Sequence, residues 1–155
     1  LQEIDLSLFT SYLTLDAGIN EGKNEVQFLF VYDKESRHLQ HCQPSDLQKE
    51  LNGVAFQSPY GEFSFAGVPS EGMVSREDLF MDLLSVVSDS ADVKRMIVVS
   101  FNEEYGKKVT DVLQGLKGKE VMQFRMNEPE IPVNYKWDML AFPVMHSLGI
   151  RAEEL

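Results

Sequence analysis

Carboxylates and carboxamides gather where the apolar runs of this chain stop. Asp33 follows VQFLFVY, Asn102, Glu103 and Glu104 follow MIVVSF, and Asn127 and Glu128 follow VMQFRM. In an open α/β sheet the carboxyl ends of parallel strands share one edge, and sites are built there. If the three runs are neighbouring strands, their oxygen donors converge. Such a set suits Mg²⁺ or Mn²⁺, hard cations that position a water against a phosphodiester. The same residues have a structural use: Asn is a good N-cap, and Glu103 and Glu104 suit the positive end of a helix. The stretch IVVSFNEEYG therefore reads first as a strand running into a capped helix.

Other reactive side chains offer less. His38, His41 and Cys42 in HLQHC are zinc-type donors, but a structural zinc site takes four ligands and no second Cys/His pair occurs. Cys42 as a nucleophile would need a base, an orienting group and electropositive surroundings, and its neighbours supply only histidine. His146 falls on a helical stretch and is expected in the core; Trp137 and Asp138 read as a packing edge. No phosphate-cradling Gly-rich pattern occurs, which disfavours nucleotide cofactors. No catalytic residue is assigned, and a divalent cation is the one cofactor considered.

Composition sets the class. With 43% hydrophobic and 25% charged residues the chain sits at the globular average, and no apolar window is long enough to span a bilayer. The 25 acidic against 14 basic residues give −11, a field that repels phosphate backbones and weighs against RNA or DNA as partners. A small basic patch, such as Arg37 with His38 or Lys107 with Lys108, could act locally. A single cysteine excludes an intrachain disulfide framework and fits a reducing, cytoplasmic setting. The start, Leu1-Gln2-Glu3-Ile4, has neither an initiator Met nor a secretory signal, so the expectation is a chain that begins inside a longer one.

The elements that must position these residues follow from periodicity. Leu8, Phe9, Tyr12, Leu13 and Ile19 recur at helical spacing, with Asp5 as N-cap and Gly18 as the stop. NEVQFLFVYD is a strand apolar on both faces, as strands covered by helices on both sides are. After Pro44, Ser45 is expected to cap a short helix, DLQKELN, that Gly53 stops. VAFQSPYGEFSFAGV alternates about Pro59-Tyr60-Gly61, predicting a hairpin at a sheet edge. Ser75 and Asp78 form a capping box for a helix buried through Leu79, Leu83, Leu84 and Val87. MIVVSF is a strand, EEYGKKVTDVLQGL a helix with Tyr105, Val109, Val112, Leu113 and Leu116 inward, and KEVMQFRM a third strand. YKWDMLAFPVMHSLGI is expected to be helical and kinked or broken at Pro143. Alternating helices and apolar strands predict one α/β domain over residues 1–155, three-layered and Rossmann-like, with a mostly parallel central sheet.

The segment from Ser75 to Phe124 resembles the second half of the NYN branch of PIN-like ribonucleases: an acidic helix, a buried strand with an acidic end, one more helix, and a strand after a Gly-Lys pair. The resemblance places Asp82 at the acidic helix position and Asn102 and Glu104 where the family carries two aspartates. One aspartate is thus an amide, the other a glutamate, and the glycine of the family motif is Phe101. An amide ligates a metal without adding negative charge, so a hard-cation site loses attraction. The family's first acidic strand has no good match here and is expected upstream of Leu1; Asp16 is a poor substitute. LTLDAGINEGKNEVQFLFVYDK, YGEF, DVKRMIVV and SLGIRAEEL also resemble a family of uncharacterised proteins from Bacteroidetes-type bacteria, which implies a cytosolic setting and no known activity.

Two readings follow. The favoured one is a non-catalytic PIN/NYN-like domain acting on a protein partner or a second copy, through an exposed apolar patch at Phe56, Tyr60 and Phe63. The alternative is a ribonuclease in which Asp82, Asn102 and Glu104, with Asp33, hold Mg²⁺ or Mn²⁺.

Overall fold

The described residues of this computed structural model are 4–32, 37–39, 42–70, 75–99 and 102–148, with the backbone alone for 102–105. In chain order they form β1 (Ile4–Asp5), α1 (Leu6–Asp16), β2 (Asn24–Tyr32), β3 (Cys42–Gln43), a π-type turn (Leu47–Leu51), β4 (Ala55–Ser58), β5 (Gly61–Pro69), α2 (Arg76–Asp89), β6 (Arg95–Val99), α3 (Asn102–Gln114), β7 (Glu120–Arg125), β8 (Lys136–Met139) and α4 (Ala141–Ser147). The architecture is mixed α/β, with sheets β1-β3, β2-β5-β4 and β6-β7-β8 and no closed barrel among the described residues. Two compact units divide it: Leu1–Arg76 with Phe142–Leu155, and Glu77–Ala141.

In the first unit α1 has the predicted ends. The Asp5 carboxylate accepts from the Ser7 N–H at 2.9 Å. At the other end Gly18, at φ +86, precedes two reverse bonds, Gly18 N–H to Leu15 C=O and Ile19 N–H to Thr14 C=O. These are the paired bonds of a Schellman ending. The buried stripe is turned from the predicted one: Leu6, Thr10, Leu13 and Thr14 are buried and Leu8 is exposed. Thr10 and Thr14 can be interior because each hydroxyl donates to the carbonyl four residues back, at 2.8 and 2.9 Å, so burial strands no polar group.

β2 pairs in parallel with β5 along its whole length, and β4 with β5 forms the predicted hairpin about Pro59-Tyr60. The hairpin is no edge decoration, since β5 is the central strand of its sheet. β2 in turn is an edge strand, and it is not covered on both faces, since Glu25, Gln27 and Leu29 on its outer face are exposed. Its alternate residues Val26, Phe28, Phe30 and Tyr32 share a face with Phe63, Phe65 and Phe56, packed on Leu6, Phe9, Leu47 and Leu51. Phe65 stacks on Phe28 and Phe56 with ring centroids 4.9 and 5.6 Å apart. The cap of the short turn is Asp46, one residue past the predicted Ser45: its carboxylate accepts from the N–H groups of Gln48 and Lys49.

In the second unit β6, β7 and β8 run parallel, with β7 central. Leu84, Met96, Val98, Val109, Leu113 and Val121 form the buried core, with Phe80, Met81 and Val87 from α2 packed against it. The stretch predicted as one helix about Pro143 divides into β8 and α4. Pro143 is the third residue of α4, within the first turn, where no N–H is required of it, so it starts a helix and does not kink one.

The expectation of one central sheet is corrected. β2 and β6 belong to separate sheets because β5, nine residues of apolar alternation delivered by the hairpin, matches β2 residue for residue: Val26 beside Phe63, Phe28 beside Phe65.

Candidate functional site

Among the predicted oxygen donors, Asp82 is exposed on α2, off the side through which Phe80, Met81, Leu84 and Val87 pack. Asn102 opens α3, but its side chain and that of Glu104 lie outside the described residues, as does all of Asp33. The strand leading to Asp33 is in a different sheet from β6 and β7, so the three runs do not make one common edge. β6 and β7 do lie side by side. Among the described residues no group of three or more His, Cys, Asp or Glu side chains is placed to hold a metal ion.

What the carboxyl end of β7 carries is positive. Gln123 and Arg125, two residues apart and so on one face, are 0% and 8% exposed. Arg125 Nη1 donates to Gln123 Oε1 at 3.2 Å and Nε to the Asn127 carbonyl at 3.1 Å. The Tyr135 hydroxyl donates to the same Gln123 oxygen at 2.7 Å. Among the described residues no carboxylate pairs with Arg125. Sequence reasoning passed over this cluster. The available signal was a Gln and an Arg two apart in an otherwise apolar run, which puts both on one side of a strand.

The remaining reactive groups have structural engagements. Arg37 makes a two-pronged contact with Asp46, Nε to Oδ1 at 3.0 Å and Nη2 to Oδ2 at 2.9 Å, and His38 Nε2 lies 3.3 Å from Asp46 Oδ2. That basic pair is therefore committed to a carboxylate, and Lys108 pairs with Glu77 at 2.6 Å. The Asp46 carboxyl is held well below the usual carboxylate range, first by Arg37 and then by the helix-end N–H groups. Cys42 is half-buried on β3, and burial pushes its thiol up, opposite to what a nucleophile needs. His41 lies outside the described residues. His146, expected in the core, is exposed instead: Nδ1 is 3.2 Å from Asp16 Oδ2 and the ring lies 5.3 Å from that of Tyr12, fastening α4 to α1.

The aromatic patch divides. Phe63, on β5, is fully buried, while Phe56 and Tyr60 are half-buried against the same core. A different surface stands out at β2. Asn24 N–H donates to the Tyr60 carbonyl and the Tyr32 carbonyl accepts from Ser70 N–H, which fixes the parity of the parallel ladder: even residues of β2 bond β5. Glu25, Gln27, Leu29 and Val31 turn outward. Their four N–H and four C=O groups have no partner among the described residues.

Fold and site together define a mixed α/β protein with several parallel sheets, and no helix among the described residues is long and apolar enough to cross a membrane. A family model described as "Family of unknown function (DUF6621)" matches residues 1–155, and the chain belongs to that family. No curated protein and no solved structure matches it.

Proposed function

We propose that this chain is a non-catalytic interaction domain that binds another polypeptide along β2, in the cytosolic setting that its lone thiol suits. The observation that carries this reading is the outward row of backbone groups on a nine-residue edge strand. NEVQFLFVY contains no Pro and no Lys, the residues that most often blunt such an edge, and its one charge is Glu25. Strand addition uses such a row: main-chain bonds supply affinity and the outward side chains supply selectivity. Tyr60, whose carbonyl holds the Asn24 N–H at the start of β2, borders this edge, and Phe56 and Phe63 support the sheet from its core side.

A PIN/NYN-like relationship is supported for the second unit by the order α2, β6, α3, β7 with β6 parallel to β7. The ribonuclease alternative, with Asp82, Asn102, Glu104 and Asp33 around a divalent cation, is weakened by the separate sheet of β2 and by the buried cationic Arg125 at the end of β7.

A photo-crosslinking residue at position 29, expressed in the native host, should form a protein adduct that the same residue at exposed position 49 does not form. No adduct specific to position 29 overturns the reading. Calorimetry with Mn²⁺ and incubation with a mixed RNA pool should show neither uptake nor cleavage. Uptake lost in Asp82→Ala, accompanied by cleavage, would establish the nuclease instead.

A further inference from the structure

We infer that the partner of β2 is a second copy of this chain, the two strands pairing antiparallel about a two-fold axis at Phe28. The inference rests on β2 being the contact edge and adds the identity and register of what lies on it.

The outward groups decide the register. In an antiparallel pair, residues directly opposite exchange both of their backbone bonds, so outward residues must face outward residues. Centring the axis on Phe28 opposes Glu25 to the second copy's Val31, and Gln27 to its Leu29. All four outward residues of each strand are then used, and every one of the four N–H and four C=O groups finds a partner. Shifting the axis by one residue to Gln27 or Leu29 keeps the parity but leaves a terminal outward residue unmatched.

The side chains favour the same register. Phe63 and Phe65 on β5 are 0% and 4% exposed, whereas Val26, Phe28 and Phe30 beside them on β2 are only half-buried members of the same cluster. The aromatic core is closed at its centre and open along β2. Pairing about Phe28 lays the second copy's Phe28 against Phe28, and its Phe30 against Val26, which covers that open side. On the opposite face Leu29, an exposed leucine, gains an apolar-stemmed neighbour in Gln27. The one charged residue of the strand, Glu25, meets Val31 and not its own copy. The two Glu25 side chains stand six residues apart along the ladder, roughly 20 Å, beyond the screening length at physiological salt. Two-fold pairing of identical patches is also the commonest form of self-association.

Light scattering of the full chain should pass from one to two chains' mass as concentration rises. Amide exchange followed by NMR should slow with concentration at residues 25, 27, 29 and 31, and stay constant at 26, 28 and 30. Leu29→Pro deletes an N–H that β5 does not use, and Gln27→Lys places an ammonium at the seam; each should weaken the dimer by about tenfold or more. Should Leu29→Pro fail to fold by circular dichroism, Gln27→Lys decides. A single-chain mass up to roughly 200 µM, well above micromolar affinity, overturns the proposal. So does a dimer that survives both variants, or exchange that ignores dilution. A strict monomer whose position 29 crosslinks to a different protein removes self-pairing and leaves strand addition standing; a monomer with no adduct removes both.

Discussion

Asp46 shows how a single carboxylate sets the acid limit of its surroundings. It accepts from Arg37 and from two helix-end N–H groups, and these hold its folded pKa below that of an unfolded aspartate, about 3.9. A group depressed in this way contributes stability that is fully present above the unfolded value and is lost as pH falls through the folded one. Wild type should therefore exceed Asp46→Asn in urea midpoint above roughly pH 5, and the margin should shrink below about pH 4. A margin that instead grows below about pH 4 would mean that the carboxyl is protonated in the fold. Gln123 is the second residue whose role rests on its partners in the fold. Its buried oxygen accepts from both Arg125 and Tyr135, so Gln123→Leu leaves a buried guanidinium short of a partner. The expected loss is about 2–3 kcal/mol by urea denaturation, several times that of a surface substitution.

At the scale of elements, what could be read in the sequence was local chemistry, and what could not was partnership. Asp5 and Gly18 bracket α1 as predicted, because caps are decided within a few residues of chain. The hairpin about Pro59-Tyr60 is likewise local. The stripe of α1 escaped because Thr10 and Thr14 behave as apolar once their hydroxyls are satisfied internally, which no hydrophobicity scale expresses. β2 looked like an inner strand because NEVQFLFVY is apolar at nearly every position from Phe28 on; whether such a run is sandwiched or left at an edge depends on which strand reaches it first. That strand is β5, and its start is fixed by Gly61. Gly61 has φ +134, a region closed to L side chains, and a Cβ there would collide with the Asn24 backbone. Gly61→Ala should thus separate the first residues of β2 from β5 and cost on the order of 3 kcal/mol, seen as a lowered melting point and as fast exchange at Asn24 and Val26. Of the candidate site, Asp82 lies on an exposed helix face and the strand that leads to Asp33 is in a different sheet from β6 and β7, whereas the orphan edge of β2 is a property of pairing that no composition records.

For the molecule as a whole the governing quantity is net charge. At −11 each copy repels another, and this field opposes any self-association at low ionic strength. The contact inferred at β2 is made of backbone bonds and aromatic burial, with Glu25 facing Val31, so it contains no opposite-charge pair for salt to weaken. Screening then acts on the repulsion alone. Raising NaCl from ~20 mM to ~300 mM shortens the screening length severalfold and should tighten the dimer, which sedimentation equilibrium would show as a falling Kd. Binding to RNA has the reverse sign, because salt competes with phosphate contacts. A self-association that loosened as salt rose would mean that attraction between unlike charges holds the copies together, and the contact would have to be sought among the ion-paired surfaces, away from β2.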